Sequence, residues 1–469
     1  DLPPESGGIC LYEGRLRDLA EAWPDPEKAP QAQPALQIQA VAAVLPRPNQ
    51  AYWTLSALWA GWLWGREAAA AYKFVLRRRR YDWNWHAMAL QAGFVSLSRM
   101  LSPGTPILGL VGEAEPGFLS AAGLASALAG LQWGGIALRQ SDEQTQFEWR
   151  KTTPPKSESS PGEAGRLATQ IRELCQKAGL EFLRQRGEPA SYLHLHAAGL
   201  AALCESGLIQ REASAIKQTE EYSAAELLSQ VQNSFQQAFT FRNGFIRYQG
   251  SPNNLDSGYW WLRETHAPGT DFSPEERHSR LDMITPSTEI APALADRVEI
   301  EVVRRLLKPE PPTWLDLENH LAKLFDGLET PDTGLTLACL ESYAEPMLNP
   351  PENAGTPPSG RDANLAIARN AAWNLHPQEQ PRLRKSDLQE AARLLEQLGQ
   401  RLGFSVMDKD PERRRVKWLD TKQQLQYAFF LTASATIGKM ILENDLPAVN
   451  CLVVYAGGMP GRRVTAKLS

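Results

Sequence analysis

The stretch Val44–Trp59, VLPRPNQAYWTLSALW, closes the apolar run LQIQAVAAVLP (residues 36–46) and leads directly into a tryptophan-rich segment. A short apolar run bounded by turn formers reads as a buried strand, and apolar positions at helical spacing after a proline turn read as a helix. Strand, proline loop and helix in that order predict an α/β fold with a largely parallel sheet, the type that is covered on both faces. The stripe Leu55, Leu58, Trp59, Trp62 and Leu63 is expected to pack on that sheet.

Working outward, ICLYEGRLRDL (9–19) predicts a short strand, a turn at Gly14 and a helix start. YDWNWHAMALQAGFVSLSRML (81–101) predicts a second helix, SPGTPILGLVG (102–112) a turn and strand, and EPGFLSAAGLASALAGL (115–131) a helix of small residues. WGGIALRQ (133–140) and TQFEWRKT (145–152) predict a terminal hairpin. The Pro/Ser-rich segments TTPPKSESSPGEAG (152–165) and NPPENAGTPPSGRD (349–362) read as linkers. Four regions follow: an α/β domain over 1–152, a helical region over 153–348, a linker over 349–385 and a small α/β domain over 386–469. Within the second, PPTWLDLENHLAKLF (311–325) predicts a helix capped by Thr313, in a helix, loop, helix rhythm compatible with a winged helix.

A chain of 469 residues has room for about three cores. Its 49 Lys+Arg against 54 Asp+Glu leave a net charge of −5, which excludes a globally basic nucleic-acid binder and leaves local patches. The 5 cysteines are widely spaced, as expected of buried free thiols in a reducing cytoplasm, and neither a metal site nor a membrane segment is expected. His194 and His196 in YLHLHAAG invite a metal reading but lack partners at metal spacing, so core or surface histidines are favoured.

Two segments concentrate chemistry. LRRRRYDWNWH (76–86) sets Arg77, Arg78, Arg79 and Arg80 beside Tyr81 and Trp83, cations for phosphates next to rings that stack on bases. LVGEAEPGF (110–118) passes through Gly112 and Gly117 to a helix start, where a backbone approaches a ligand or a turn simply needs glycine. No Ser-His-Asp signature, phosphate loop or G-x-S-x-G occurs.

The region Ile9–Thr152 resembles the later part of the DNA amino-methyltransferases acting on adenine N6 or cytosine N4, and methylase-like proteins of bacterial restriction and defence loci. The family's strand before the catalytic loop ends in Asp/Asn/Ser-Pro-Pro-aromatic. Here Val44 stands in the acid or amide place, Leu45 and Pro46 in that of the proline pair and Arg47 in that of the aromatic, with Pro48 following. The resemblance implies DNA and the proteins of a modification or defence complex as partners, and a Rossmann-like methyltransferase-type sheet. The departure implies a silent centre, because valine accepts no hydrogen bond from the amine of a flipped base. No catalytic residue and no cofactor are expected, S-adenosylmethionine being the one the resemblance allows. An active methyltransferase whose glycine-rich loop lies upstream or in a partner, with Asn49 or Gln50 as acceptor, is one alternative. A scaffold without nucleic-acid contact is the other.

Residues 386–457 order as helix, three strands, helix, strand, which resembles the PD-(D/E)xK nucleases. Asp420 could be that family's first acid, but YAFFLTAS (427–434) supplies neither the second acid nor the lysine, so an inactive relative is expected. Arg413, Arg414, Arg415, Arg462 and Arg463 would give it basic edges for DNA.

Overall fold

In a computed structural model of the chain, the apolar run of 36–46 forms strand β1 (Val41–Val44), which pairs in parallel with β2 (Pro106–Gly112). The structure describes residues 8–23, 38–46, 50–70, 72, 82–139, 144–152, 164–212, 224–251, 254–263, 290–347, 371–376, 381–407, 415–432 and 450–455. The protein is mixed α/β and divides into two compact units, Asp1–Phe182 with Ala190–Pro268, and Leu183–Pro189 with Gly269–Ser469. Helices of residues 164–238 thus group with the first sheet.

The first unit is built on the sheet β1-β2-β4-β3, where β3 (Leu131–Arg139) and β4 (Gln144–Lys151) form the expected hairpin. β4 also runs antiparallel against β2, so the last strand is inserted between its two predecessors. Only β1 and β2 pair in parallel, which corrects the expectation of a largely parallel sheet. Its faces also differ. Ile107, Val111, Ile136, Phe147 and Trp149 are buried, while the alternate positions Gln132, Gln144, Gln146 and Arg150 are exposed. That period-2 pattern belongs to a sheet packed on one side, and TQFEWRK spells it out.

The packed side meets three helices, α4 (Trp83–Met100), α5 (Pro116–Leu128) and α7 (Tyr192–Glu205). α5 is buried at every position from Phe118 to Leu128. Its small residues let neighbours come close: a Cβ on Gly123 would stand 2.9 Å from Leu200 of α7. The helices α6 (Ala164–Arg186) and α8 (Ala224–Ala238) follow the same apolar spacing, and the aromatic piece 245–262 is a hairpin of β5 (Phe245–Tyr248) and β6 (Tyr259–Leu262). α1 (Leu16–Ala22) forms, but residues 9–12 make no strand, and Ile9 and Leu11 stay exposed.

After β1 come α2 (Gln50–Trp64) and α3 (Arg66–Ala70). The stripe expected on the sheet is instead the outer face of α2: Trp59 is 51%, Trp62 72% and Leu63 62% exposed, with Leu55 and Leu58 also exposed. The inner side is the small-residue side, where Ala60 is buried and Gly61 faces Ala69 of α3.

In the second unit, α9 (Leu294–Leu306), α10 (Trp314–Leu324) and α11 (Thr333–Tyr343) share a core with Trp373. Thr313 caps α10 as expected, in a reciprocal box with Asp316. α11 runs into β7 (Ala344–Met347), which pairs with β8 (Ala372–Leu375), and Thr313 bridges Ala372. Tyr343 donates its hydroxyl to the Glu299 carboxylate, both buried, so a carboxylate can sit in this core because it is partnered.

The C-terminal residues form α12 (Pro381–Arg401) and the sheet β12-β11-β10-β9, comprising β9 (Ser405–Met407), β10 (Arg415–Leu419), β11 (Leu425–Thr432) and β12 (Asn450–Tyr455). β9, β10 and β11 meander antiparallel, and β12 returns parallel to β11. Ala392 of α12, Val416, Trp418, Phe429 and Leu431 make its core. The helix expected over 435–444 lies outside the described residues.

Candidate functional site at the strand ends

The carboxyl ends of parallel strands are where α/β sheets bind ligands, so the site to weigh is the pair of loops after β1 and β2. β1 delivers Val44 to the open side of the sheet, 77% exposed. The next residue turns inward: Leu45 is buried and its amide donates to the Leu110 carbonyl at 2.8 Å. The strand end thus presents an exposed apolar side chain followed by a buried one.

Across from it stands the start of α4. Asp82 caps this helix, accepting from the Trp85 amide at 3.1 Å, and so sets Trp83 at its first position. The Trp83 ring stacks on Phe118 of α5 at 6.2 Å and 29°. A Cβ on Gly117 would lie 2.3 Å from Trp83 Nε1, so the close approach this glycine permits is made by an indole. Gly117 therefore serves a packed turn, while Gly112 ends β2 in the open. Trp83, foreseen as a base-stacking ring, spends one face on Phe118 and is half-buried.

His86, one turn further, is buried 5.1 Å from the Phe118 ring. Burial pulls its pKa down to about 4, the Pro46 carbonyl opposing, so the imidazole is neutral at pH 7. Its signal in the sequence was its place in an aromatic run. His196 is similar: Nε2 meets Ser120 Oγ at 2.8 Å between α7 and α5, and desolvation takes its pKa to about 3 against the pull of the Pro116 carbonyl. His194 Nδ1 pairs with Ser191 Oγ at 3.1 Å and stacks on Phe182. The two histidines are core residues with separate hydroxyl partners, as the sequence favoured.

The loop after β2 is acidic. Glu113 takes a left-handed φ of 47°, and Glu115 precedes α5. Asp256, from the loop between β5 and β6, has its pKa raised by burial and then by Glu115. Carboxylates at a helix start repel the phosphate that such a terminus otherwise attracts. With Gly117 covered by Trp83, the start of α5 is not an open anion site.

Asp420, the candidate first acid of the C-terminal sheet, is a turn residue. Oδ1 accepts from the amides of Lys422 at 2.8 Å and Gln424 at 2.9 Å, and Oδ2 accepts from Gln426 at 3.1 Å. These bonds, the Gln424 amide first, hold its pKa below the ordinary carboxylate value. It closes the turn between β10 and β11, with both carboxylate oxygens engaged in that turn. Arg415 lies half-buried on β10, on the side opposite Val416 and Trp418. Arg47, Pro48, Arg77 to Arg80, Tyr81, Arg413, Arg414, Arg462 and Arg463 lie outside the described residues.

Among the described residues no group of three or more His, Cys, Asp or Glu could hold a metal ion, and no helix is long and apolar enough to cross a membrane. No family model matches this sequence, and no curated protein matches it.

Proposed function

We propose that this protein is a DNA-binding component of a bacterial DNA modification or defence system, and that its methyltransferase-like domain catalyses nothing itself. The observation that carries the reading is the sheet order β1-β2-β4-β3, with the last strand reversed and inserted between the two before it. Methyltransferase-type sheets end in this way, and the loop after β1 then stands where their catalytic motif belongs, occupied by exposed Val44. This is a likeness of fold, and the inference to a silent centre comes from the side chain.

The C-terminal sheet supports the same reading. A helix, an antiparallel three-strand meander and a strand parallel to the third fit the nuclease-like order, with Asp420 committed to its turn. The order α9, bridging Thr313, α10, α11, β7, β8 favours a winged helix. Its third helix, TGLTLACLESY, has no cation or amide to read a base, so DNA contact falls to Arg77–Arg80 and to the C-terminal arginines.

Two measurements on the intact chain test this. In a mobility-shift titration, replacing Arg77–Arg80 by glutamine should weaken binding and lower the slope of log K against log salt by roughly 3 to 4. Incubation with labelled S-adenosylmethionine and DNA should transfer no methyl group. Unchanged DNA affinity would remove the DNA role, and robust methylation would remove the silent centre.

A further inference from the structure

Two apolar surfaces of the first unit face solvent, and each is what the other needs. One is the outer stripe of α2, formed by Leu55, Leu58, Trp59, Trp62 and Leu63. A helix apolar on all sides is ordinarily enclosed, and a stripe of this size at i, i+3, i+4, i+7 spacing marks an interaction surface. The other is the open side of the sheet where β1 meets β2. The register sets Ala42 beside Leu108 and Val44 beside Leu110 on that side, and Ala42, Val44 and Leu108 are exposed. Further across, beyond β2, the same side turns polar at Gln146, Glu148 and Arg150.

We propose that the stripe of α2 from one copy of this chain packs on the β1–β2 face of a second copy, and reciprocally, giving a two-fold dimer. This goes beyond the functional reading above and does not depend on it.

Three observations favour a second copy as the occupant. An apolar sheet face is closed by a helix with an apolar stripe, and each copy offers one of each, which satisfies the self-complementarity of a two-fold contact. Neither partner surface contains a charged residue: Val41–Val44, Pro106–Gly112 and Gln50–Trp64 are free of Asp, Glu, Lys and Arg, so symmetry brings no like charges together. The area suffices as well. Trp59 and Trp62 are 51% and 72% exposed, roughly 300 Å² together at about 250 Å² per ring. With the leucines and the sheet face added, each copy approaches the ~800 Å² per partner of a specific interface.

Sedimentation of the full chain tests this, and the expected result is a dimer at about 10 µM. The variant L58E/W62E should raise the dimer Kd by about 100-fold or more, as loss of central apolar anchors does. Both positions are exposed, so its circular dichroism should be unchanged. Mixing L58E/W62E with V44K/L108K should restore a dimer, because the acidic helix of one copy then meets the basic sheet face of the other while the second contact stays native. With Cys10 replaced by Ser, L58C/L108C should cross-link between chains on oxidation. A wild-type monomer at about 100 µM, a dimer that survives L58E/W62E, or a disulfide formed only within one chain would each overturn the proposal, the last by showing that α2 closes on its own sheet.

Discussion

The indole of Trp83 occupies the space above Gly117, with Nε1 2.3 Å from where a Cβ would stand. This contact joins the start of α4 to the start of α5 and closes the loop end of the sheet with an aromatic lid of the protein's own. Gly117→Ala should therefore destabilise the first unit by about 1 to 3 kcal/mol, the usual penalty of overpacking. Urea denaturation followed by circular dichroism measures it, and W83F in the same background should recover part of the loss.

The Ser120 and His196 pair offers a second test. Ser120→Ala leaves the imidazole without its hydroxyl partner in the core and should cost about 1 to 3 kcal/mol. A urea midpoint equal to wild type would show that the pair contributes nothing to stability.

Two of the buried histidines have folded pKa values below the free value of about 6.5, near 4 for His86 and near 3 for His196. The unfolded chain takes up these protons first. Stability attributable to the neutral rings is thus fully present above about pH 6.5 and is lost as pH falls toward the folded values. Midpoints measured from pH 7.5 to 4.5 should decline across that window, and His86→Phe should flatten the decline.

Asp420 separates a turn from a metal site. Asp420→Ala removes all three hydrogen bonds and should lower the unfolding midpoint of the C-terminal sheet. Asp420→Asn keeps an oxygen to accept from the Lys422 and Gln424 amides and should stay closer to wild type. Its depressed pKa makes this stabilisation present above the carboxylate range and lost as pH falls through it. Equal loss in both variants, together with divalent-cation binding to the wild type, would favour the metal reading.

Val44→Asp restores an acid to the strand end. At so exposed a position it should change stability by no more than about 0.5 kcal/mol. It should yield no methyl transfer, because an acid alone does not restore the aromatic that stacks on a flipped base, Arg47 standing in its place. Methylation by this variant would show that the missing acceptor was the sole obstacle.

Local chemistry explains what was legible in the sequence. Alternation in TQFEWRK, the Thr313 cap before WLDLENHLAKL and the β-rich runs after residue 404 located their elements because each depends on neighbours within a few residues. The hairpin at 245–262 is not legible in the sequence, because a connection rich in Gly and Asn separates two short aromatic strands. His86 and Ser120–His196 could not be singled out as a site, since their partners are 76 residues away or on another helix.

The sequence by itself determined where most helices and the strands β1 to β4 and β9 to β12 form, that valine stands at the strand end, and that no acid or lysine is available in YAFFLTAS. Only the tertiary structure decided that β4 inserts between β2 and β3, that the sheet is packed on one side, and that α2 turns its small residues inward. Periodicity states which residues share a face, but each of those outcomes depends on which partner covers that face. For α2 the partner of the inner side is α3, next in the chain, and that of the outer stripe is, as we propose, a second copy.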